Sequence, residues 1–119
     1  MKKEKIIITG AAGFIGYHLS KSLLDDDVEI LGIDNINDYY DQNLKHARLE
    51  KLNQYNQFEF EKIDISDREG LTKVFKSFKP NKVVNLAAQA GVRYSIENPY
   101  AYMESNLVGF LNIIELCRH

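Results

Sequence analysis

Three glycines and one aspartate are the residues in this sequence whose types and spacing do chemistry together. Gly10, Gly13 and Gly16 recur at every third position directly after Ile6-Ile7-Ile8-Thr9. Glycine suits each place for a different reason. Gly10 can take a tight turn off a strand, Gly13 has no Cβ to keep a phosphate from the backbone, and Gly16 lets a following helix lie close to the strand. The free N–H groups and the positive end of that helix then face a pyrophosphate. The spacing departs from the G-x-G-x-x-G dinucleotide fingerprint by one extra residue in the first gap. Asp34 closes a second apolar run and lies 18 positions after Gly16. An acid near that offset accepts from a ribose 2′-hydroxyl and repels a 2′-phosphate, which favours NAD over NADP. The plainer reading is an ordinary strand–turn–helix with a surface aspartate after it. Strand, glycines and acid in this order argue against that.

The elements that must position these groups follow from the hydrophobic pattern. Ile6-Ile7-Ile8 reads as a strand buried on both faces. A helix is expected from Phe14 to about Leu24, with Ile15, Leu19, Ser22 and Leu23 on its inner face. Asp25-Asp26-Asp27 reads as a solvated turn rather than a metal site. Val28 to Asp34 is the second strand, and Asn35 to Asp41 a polar, aromatic loop beside the adenosine half of a cofactor. A helix over about 43–54 buries Leu44, Ala47, Leu49 and Leu52 in part. Phe58 to Ile65 alternates apolar and polar residues, as an edge strand does, and Asp64-Ile65 closes it at the same sheet end as Asp34. There a carboxylate could accept from an adenine amino group while an isoleucine covers the ring. The alternative for Asp64 is a helix N-cap, which Ser66 or Asp67 could fill as well. A helix over about 68–78 turns Leu71, Val74, Phe75 and Phe78 inward, and Lys79-Pro80-Asn81 breaks it. Lys82 to Ala88 is a fourth strand running into a low-profile loop of small residues. A last helix, from about Tyr100 to Arg118, is apolar over more than one face.

Strands separated by helices argue for an α/β fold: a right-handed, doubly wound parallel sheet of Rossmann type, truncated after about four strands. Residues 1–119 read as the N-terminal part of one NAD-binding domain, with no second domain present. The chain is 45% hydrophobic and 27% charged, so it is globular rather than disordered, and its net charge of −2 without a basic block argues against a nucleic-acid partner. No apolar run is long enough for a membrane span, and no secretory leader is evident. The single cysteine, Cys117, excludes an internal disulfide, fits a cytoplasmic setting and reads as a buried spectator thiol.

With these motifs placed, the chain resembles the extended short-chain dehydrogenase/reductase family. Gly10-x-x-Gly13-x-x-Gly16, Asp34, Asp64-Ile65, Leu86-Ala87-Ala88 and Ser105-Asn106-x-x-Gly109 carry that likeness. More narrowly, Ile33 to Asp41 and Ala87 to Pro99 resemble the UDP-glucuronate 4-epimerases, including those of bacterial capsule synthesis. The resemblance implies a tightly held NAD that takes a hydride from sugar C4 and returns it to the other face of a 4-keto intermediate. It implies that Gly10, Gly13, Phe14, Ile15 and Gly16 cradle the pyrophosphate and that Asp34 and Asn35 hold the adenosine ribose. Asp64 and Ile65 would bracket the adenine, and Leu86, Ala87, Ala88 and Gln89 would line the cofactor's middle. Asn106 stands where the family's helix asparagine steadies the site, or is an ordinary polar residue on an apolar helix. Arg93 could grip the carboxylate or diphosphate of a nucleotide-sugar substrate, or pair locally with Glu97.

The family's catalytic parts, a Ser or Thr and a Tyr-x-x-x-Lys pair, have no counterpart here. Tyr17 and Lys21 share that spacing but lie beside the glycine loop, so the match reads as coincidence. No catalytic residue and no metal ligand is therefore expected. The leading expectation is the cofactor-binding half of an NAD-dependent nucleotide-sugar 4-epimerase, inactive by itself. A nucleotide-sugar dehydratase or decarboxylase would share this half, and a stand-alone nucleotide-binding module without catalysis is the reading of a different class. The last helix is expected to expose apolar surface and to form a homodimer.

Overall fold

The computed structural model describes residues 4–36, 42–87, 100 and 108–118. Four strands alternate with helices: β1 (Lys5–Thr9), α1 (Phe14–Asp25), β2 (Glu29–Asp34), α2 (Gln42–Leu52), β3 (Phe58–Lys62), α3 (Arg68–Phe78), β4 (Lys82–Asn85) and α4 (Gly109–Arg118). The strands form one parallel sheet in the order β3-β2-β1-β4. Among the described residues, β3 and β4 are its edges. Thr9 pairs with Ile33 on one side and with Asn85 on the other, so β1, β2 and β4 end level with one another. The chain steps outward from β1 to β3 and then crosses back to β4. The crevice between β1 and β4 is thus the switch point, where doubly wound sheets hold ligands.

Period-two alternation in β1 divides the core. Ile6 and Ile8 face α1 and α2, where they pack with Ala11, Tyr17, Leu24, Leu49, Leu52 and Phe58. Ile7 faces the other way, among Leu31, Ile33, Leu71, Phe75 and Ile113 of the α3 and α4 side. Ile7 and Ile8 are fully buried, each stabilising the fold by about 2–3 kcal/mol over an exposed position. The sheet is therefore covered on both faces, as an all-parallel sheet must be.

The rotation of α1 differs from the expected one. Its buried residues are Gly16, Tyr17, Ser20 and Leu24, with Leu19 and Leu23 packed beside them. Ile15 is 66% exposed, and Ser22 is also exposed. The cause is the glycine turn. Gly16 lies so close to Gly10 that a Cβ on it would sit 2.1 Å from the Gly10 carbonyl oxygen. That contact fixes residue 16 as the point of closest approach, and the positions four and eight further on follow it onto the sheet. Phe14 and Ile15 are left outside at the helix start. In α2, Leu49 and Leu52 are buried as expected, whereas Leu44 and Ala47 are exposed.

β3 ends at Lys62, three residues short of the expected strand, although Ile63 N–H still donates to the Asp34 carbonyl at 3.2 Å. The expected alternation holds within it: Phe58 is buried and Glu59 and Glu61 are exposed. α3 turns Leu71 and Phe75 inward and stops at Lys79, which takes the left-handed conformation before Pro80. Cys117 is exposed rather than buried, because it lies on a face of α4 that no described element covers. Met103 and Leu107, expected on an earlier part of the last helix, lie outside the described residues.

Gly16→Ala tests the close approach. The added methyl group meets backbone rather than a yielding side chain, so a loss of about 3 kcal/mol is expected. The urea midpoint should fall with an unchanged m-value. A variant as stable as the parent chain would contradict the contact.

Candidate functional site

The groups picked out in the sequence meet at the level ends of β1, β2 and β4. The backbone leaves β1 through Gly10, whose φ of +71° is one that L side chains rarely adopt. Gly10 N–H donates to the Ile33 carbonyl at 2.7 Å, and Gly13 N–H closes the turn on the Gly10 carbonyl at 3.0 Å. Gly13 is the N-cap of α1 and has no side chain to satisfy the first turn. The N–H groups of Phe14, Ile15 and Gly16 find no partner among the described residues. Three unspent donors at a helix start that carries no acidic residue form a seat for an anion.

Thr9 and β4 wall the other side. Thr9 is fully buried; its hydroxyl donates to the Asn85 side-chain oxygen and accepts from Ala87 N–H at 3.0 Å. Leu86 N–H donates to the Thr9 carbonyl. Leu86 and Ala87 therefore lie directly against the glycine turn, where a Cβ on Gly10 would strike their backbone.

Asp34 is 4% exposed and accepts from three donors, which leaves acceptor capacity on the carboxylate. One carboxylate oxygen accepts from Ala12 N–H at 3.1 Å; the other accepts from Ile36 N–H at 2.8 Å and from the Lys45 ammonium at 3.0 Å. Sequence reasoning missed Lys45. It also missed Arg48, one turn later on α2, which donates to the Ala12 carbonyl at 3.0 Å and lies 5.9 Å from the centre of the exposed Phe14 ring. The available signal was their spacing: positions three apart on a helix share a face, and this helix follows directly on the loop after Asp34.

Asp64 sits beside this group. Its carboxylate accepts from the Ser66 N–H and hydroxyl at 2.9 and 2.8 Å and from the Asn35 amide at 3.3 Å. Partial burial by itself would raise its pKa, but the Ser66 and Asn35 hydrogen bonds outweigh burial and hold the carboxyl below its ordinary value. Asp64 is not the N-cap of α3. Asp67 fills that place, accepting from Gly70 N–H at 3.1 Å. Ile65 is 4% exposed and packs beneath α4, where a Cβ on Gly109 would overlap it. Asn112 holds the Ile65 carbonyl at 3.0 Å. The Ile65 side chain thus belongs mainly to the core, and the surface it presents to a ring is small.

The structure therefore brings together Gly10, Gly13, Phe14, Ile15, Gly16, Asp34, Asn35, Asp64, Leu86 and Ala87. Ala88, Gln89, Arg93 and Asn106 lie outside the described residues. Of Tyr17 and Lys21, the Tyr17 ring is buried and Lys21 pairs with Asp25 at 3.4 Å on the helix surface. No cluster of metal-binding side chains occurs among the described residues. No described helix is long and apolar enough to cross a membrane. A cleft of about 510 Å³ between β3 and α3, lined by Glu59, Glu61, Lys73 and Phe78 among others, touches none of the site residues.

Comparison with known proteins places the chain among relatives. The GDP-mannose 4,6-dehydratase family matches residues 7–119. The protein CapI of Staphylococcus aureus is 54% identical over 115 residues, which are 97% of this chain and 34% of that protein. UDP-glucuronate 4-epimerase 4 of Arabidopsis thaliana is 48% identical over 113 residues, 95% of this chain and 26% of that one. Among solved structures, the UDP-glucuronic acid 4-epimerase of Bacillus cereus, in complex with UDP-glucuronic acid and NAD, superposes with a TM-score of 0.87. It is 33% identical, and the match covers 97% of this chain and 36% of that one. The chain spans about a third of the length of such relatives.

Asp64 gives this site a pH signature. Its folded pKa lies below the ordinary 3.8, so the linked stability is complete above that value and is lost as pH falls through the folded pKa. Asp64→Asn should flatten the fall of Tm below about pH 4. Unchanged acid sensitivity in that variant would show that the Ser66 and Asn35 contacts do not favour the charged form.

Proposed function

Because the chain belongs to the family of GDP-mannose 4,6-dehydratase and the NAD-dependent epimerases, we propose that it is the NAD-binding portion of a nucleotide-sugar 4-epimerase. The reaction we assign to the whole protein interconverts UDP-glucuronate and UDP-galacturonate. One observation carries the reading: unspent N–H groups at the start of α1 face a crevice whose rim holds the buried Asp34 carboxylate. Phosphates and a ribose diol are the groups such a pair recognises. Gly13 favours the same fit, since among the described residues a Cβ there would meet only the Gly10 carbonyl.

On this reading NAD, when bound, supplies a reversible hydride acceptor. The chain's own residues bind and orient it. The first turn of α1 takes the pyrophosphate, Asp34 and Asn35 the adenosine ribose, and Asp64 the adenine amino group. Leu86 and Ala87 give a low backbone wall along the middle, and Ala88, Gln89 and Asn106 are assigned to the same cofactor on the family resemblance. Arg93 would grip the sugar carboxylate or the diphosphate. The acid/base tyrosine and its lysine lie in the rest of the protein, and the chain alone is inactive. The cytoplasm is the setting where such a cofactor and substrate meet.

Conversion of UDP-glucuronate by the full-length protein, followed by chromatography of the sugar nucleotides, tests the reaction. UDP-galacturonate as the only product is expected. A product lacking carbon dioxide or water would instead favour the decarboxylase or dehydratase that shares this half. Asp34→Ala should weaken NAD binding by about tenfold or more, because charge-assisted bonds to the ribose are lost.

α4 carries Phe110, Leu111 and Ile114 with 49%, 57% and 44% of their surface exposed. We assign this face to a second copy of the protein. Sedimentation should show self-association, and Leu111→Glu should shift it towards monomer. A strictly monomeric species at high concentration would remove the homodimer from the proposal.

A further inference from the structure

We infer that Asn112 of α4 is a positioning residue for the adenine end of the site. By holding one peptide group it aims the Asp64 carboxylate, and so sets how strictly the site tells an adenine amino group from another substituent. The inference rests on the cofactor reading above and deepens it. The turn after β3 is tied at both ends. Ile63 N–H donates to the Asp34 carbonyl at 3.2 Å, and Asp67 N–H donates to the Asp64 carbonyl at 2.8 Å where Asp67 caps α3. Between these ties lies the peptide group that joins Ile65 to Ser66. Its N–H donates to an Asp64 carboxylate oxygen at 2.9 Å. Its carbonyl accepts from the Asn112 side-chain amide at 3.0 Å, 47 positions away in the chain.

A peptide group is planar, and in the trans form its C=O and N–H point in opposite directions. Fixing one end therefore fixes the other. The Ile65 carbonyl has no other partner among the described residues, so loss of the Asn112 donor frees the plane to rotate and takes Ser66 N–H off the carboxylate. Burial pushes the Asp64 pKa up, and this N–H is the largest of the effects that bring it back below the ordinary value. Without it, the rotatable Ser66 hydroxyl and the 3.3 Å contact from Asn35 are left to orient the carboxylate. The donor comes from a packed helix. Gly109 and Ile113 are the buried residues of α4, and a Cβ on Gly109 would overlap the Ile65 side chain. Asn112, three positions after Gly109, is delivered on that inner face. Phe110, Leu111 and Ile114 are exposed on the outer one.

Titration of the full-length protein, stripped of any copurified dinucleotide, tests this with nicotinamide fluorescence as the signal. The probes are NADH and its hypoxanthine analogue, in which a carbonyl oxygen replaces the adenine amino group and faces Asp64. The parent protein should prefer NADH by about tenfold, the worth of one charge-assisted hydrogen bond. Asn112→Leu, of similar size but without a donor, should cut that preference to about threefold or less. Should Asn112→Leu not fold, Asn112→Ser, too short to reach the carbonyl, is read in the same way. In an Asp64→Ala background the ratio should be near one, and Asn112→Leu should move it no further. Equal weakening of both dinucleotides, with the preference intact, would make Asn112 a mere anchor for α4 and overturns the inference. A further change of the ratio in the Asp64→Ala background overturns it too. A parent protein that holds both dinucleotides without preference removes Asp64 as the adenine acceptor, and this inference with it, while NAD binding stands. One that holds neither overturns the cofactor reading itself.

Discussion

Taking a carboxylate out of water costs several kcal/mol unless other polar groups replace the lost hydration. Asp34, 4% exposed at the end of β2, meets that constraint with three donors from three parts of the chain. Ala12 comes from the glycine turn, Ile36 from the loop after β2, and Lys45 from α2. The carboxylate therefore ties β2 to the turn after β1 and draws α2 over both. It also sets the charge at the mouth of the crevice. The same group that would meet a ribose holds in register the backbone that would meet a phosphate.

The close passage of Gly16 over Gly10 is the second constraint, and it acts on shape. It lets α1 start almost in contact with the end of β1 and aims the unsatisfied first turn into the crevice. On the far wall, Thr9 binds Asn85 and Ala87 and brings the end of β4 against the same turn. Below Asp64, Gly109 lets α4 press on Ile65, so the second acid stands on packed core.

Much of this was legible from residue types and spacing. Three isoleucines in a row, glycines at a fixed interval and an acid closing the next apolar run led to the parallel sheet and to the place of the site. What was not legible depended on contacts between distant segments. The apolar pattern of α1 suggested an inner face through Ile15, but the backbone contact at Gly16 turned the helix and put Tyr17 and Ser20 inside. The roles of Lys45 and Arg48 could not be read because a charged residue on a polar helix looks the same whether it meets solvent or a buried acid. Cys117 looked apolar enough for a core, yet burial depends on what lies across from a helix face. Asp64 stands beside Asn35, beyond the end of β3 rather than closing it, and the observed Asp67 cap separates it from a structural role in α3.

The hydrogen bond between Thr9 and Asn85 joins residues 76 positions apart. β1 is an inner strand of the sheet, yet its two neighbours arise at very different times during synthesis. β2 can pair with it soon after both leave the ribosome, while the β4 side stays open until the whole of α2, β3 and α3 has been made. During that interval the edge of Ile6-Ile7-Ile8 is a bare apolar ladder of the kind that recruits other strands. Closing so long a loop is also slow, because its entropy must be given up before the pairing returns anything. Thr9 thus locks a late pairing of the sheet, and an apolar segment of the core waits for it with one edge open.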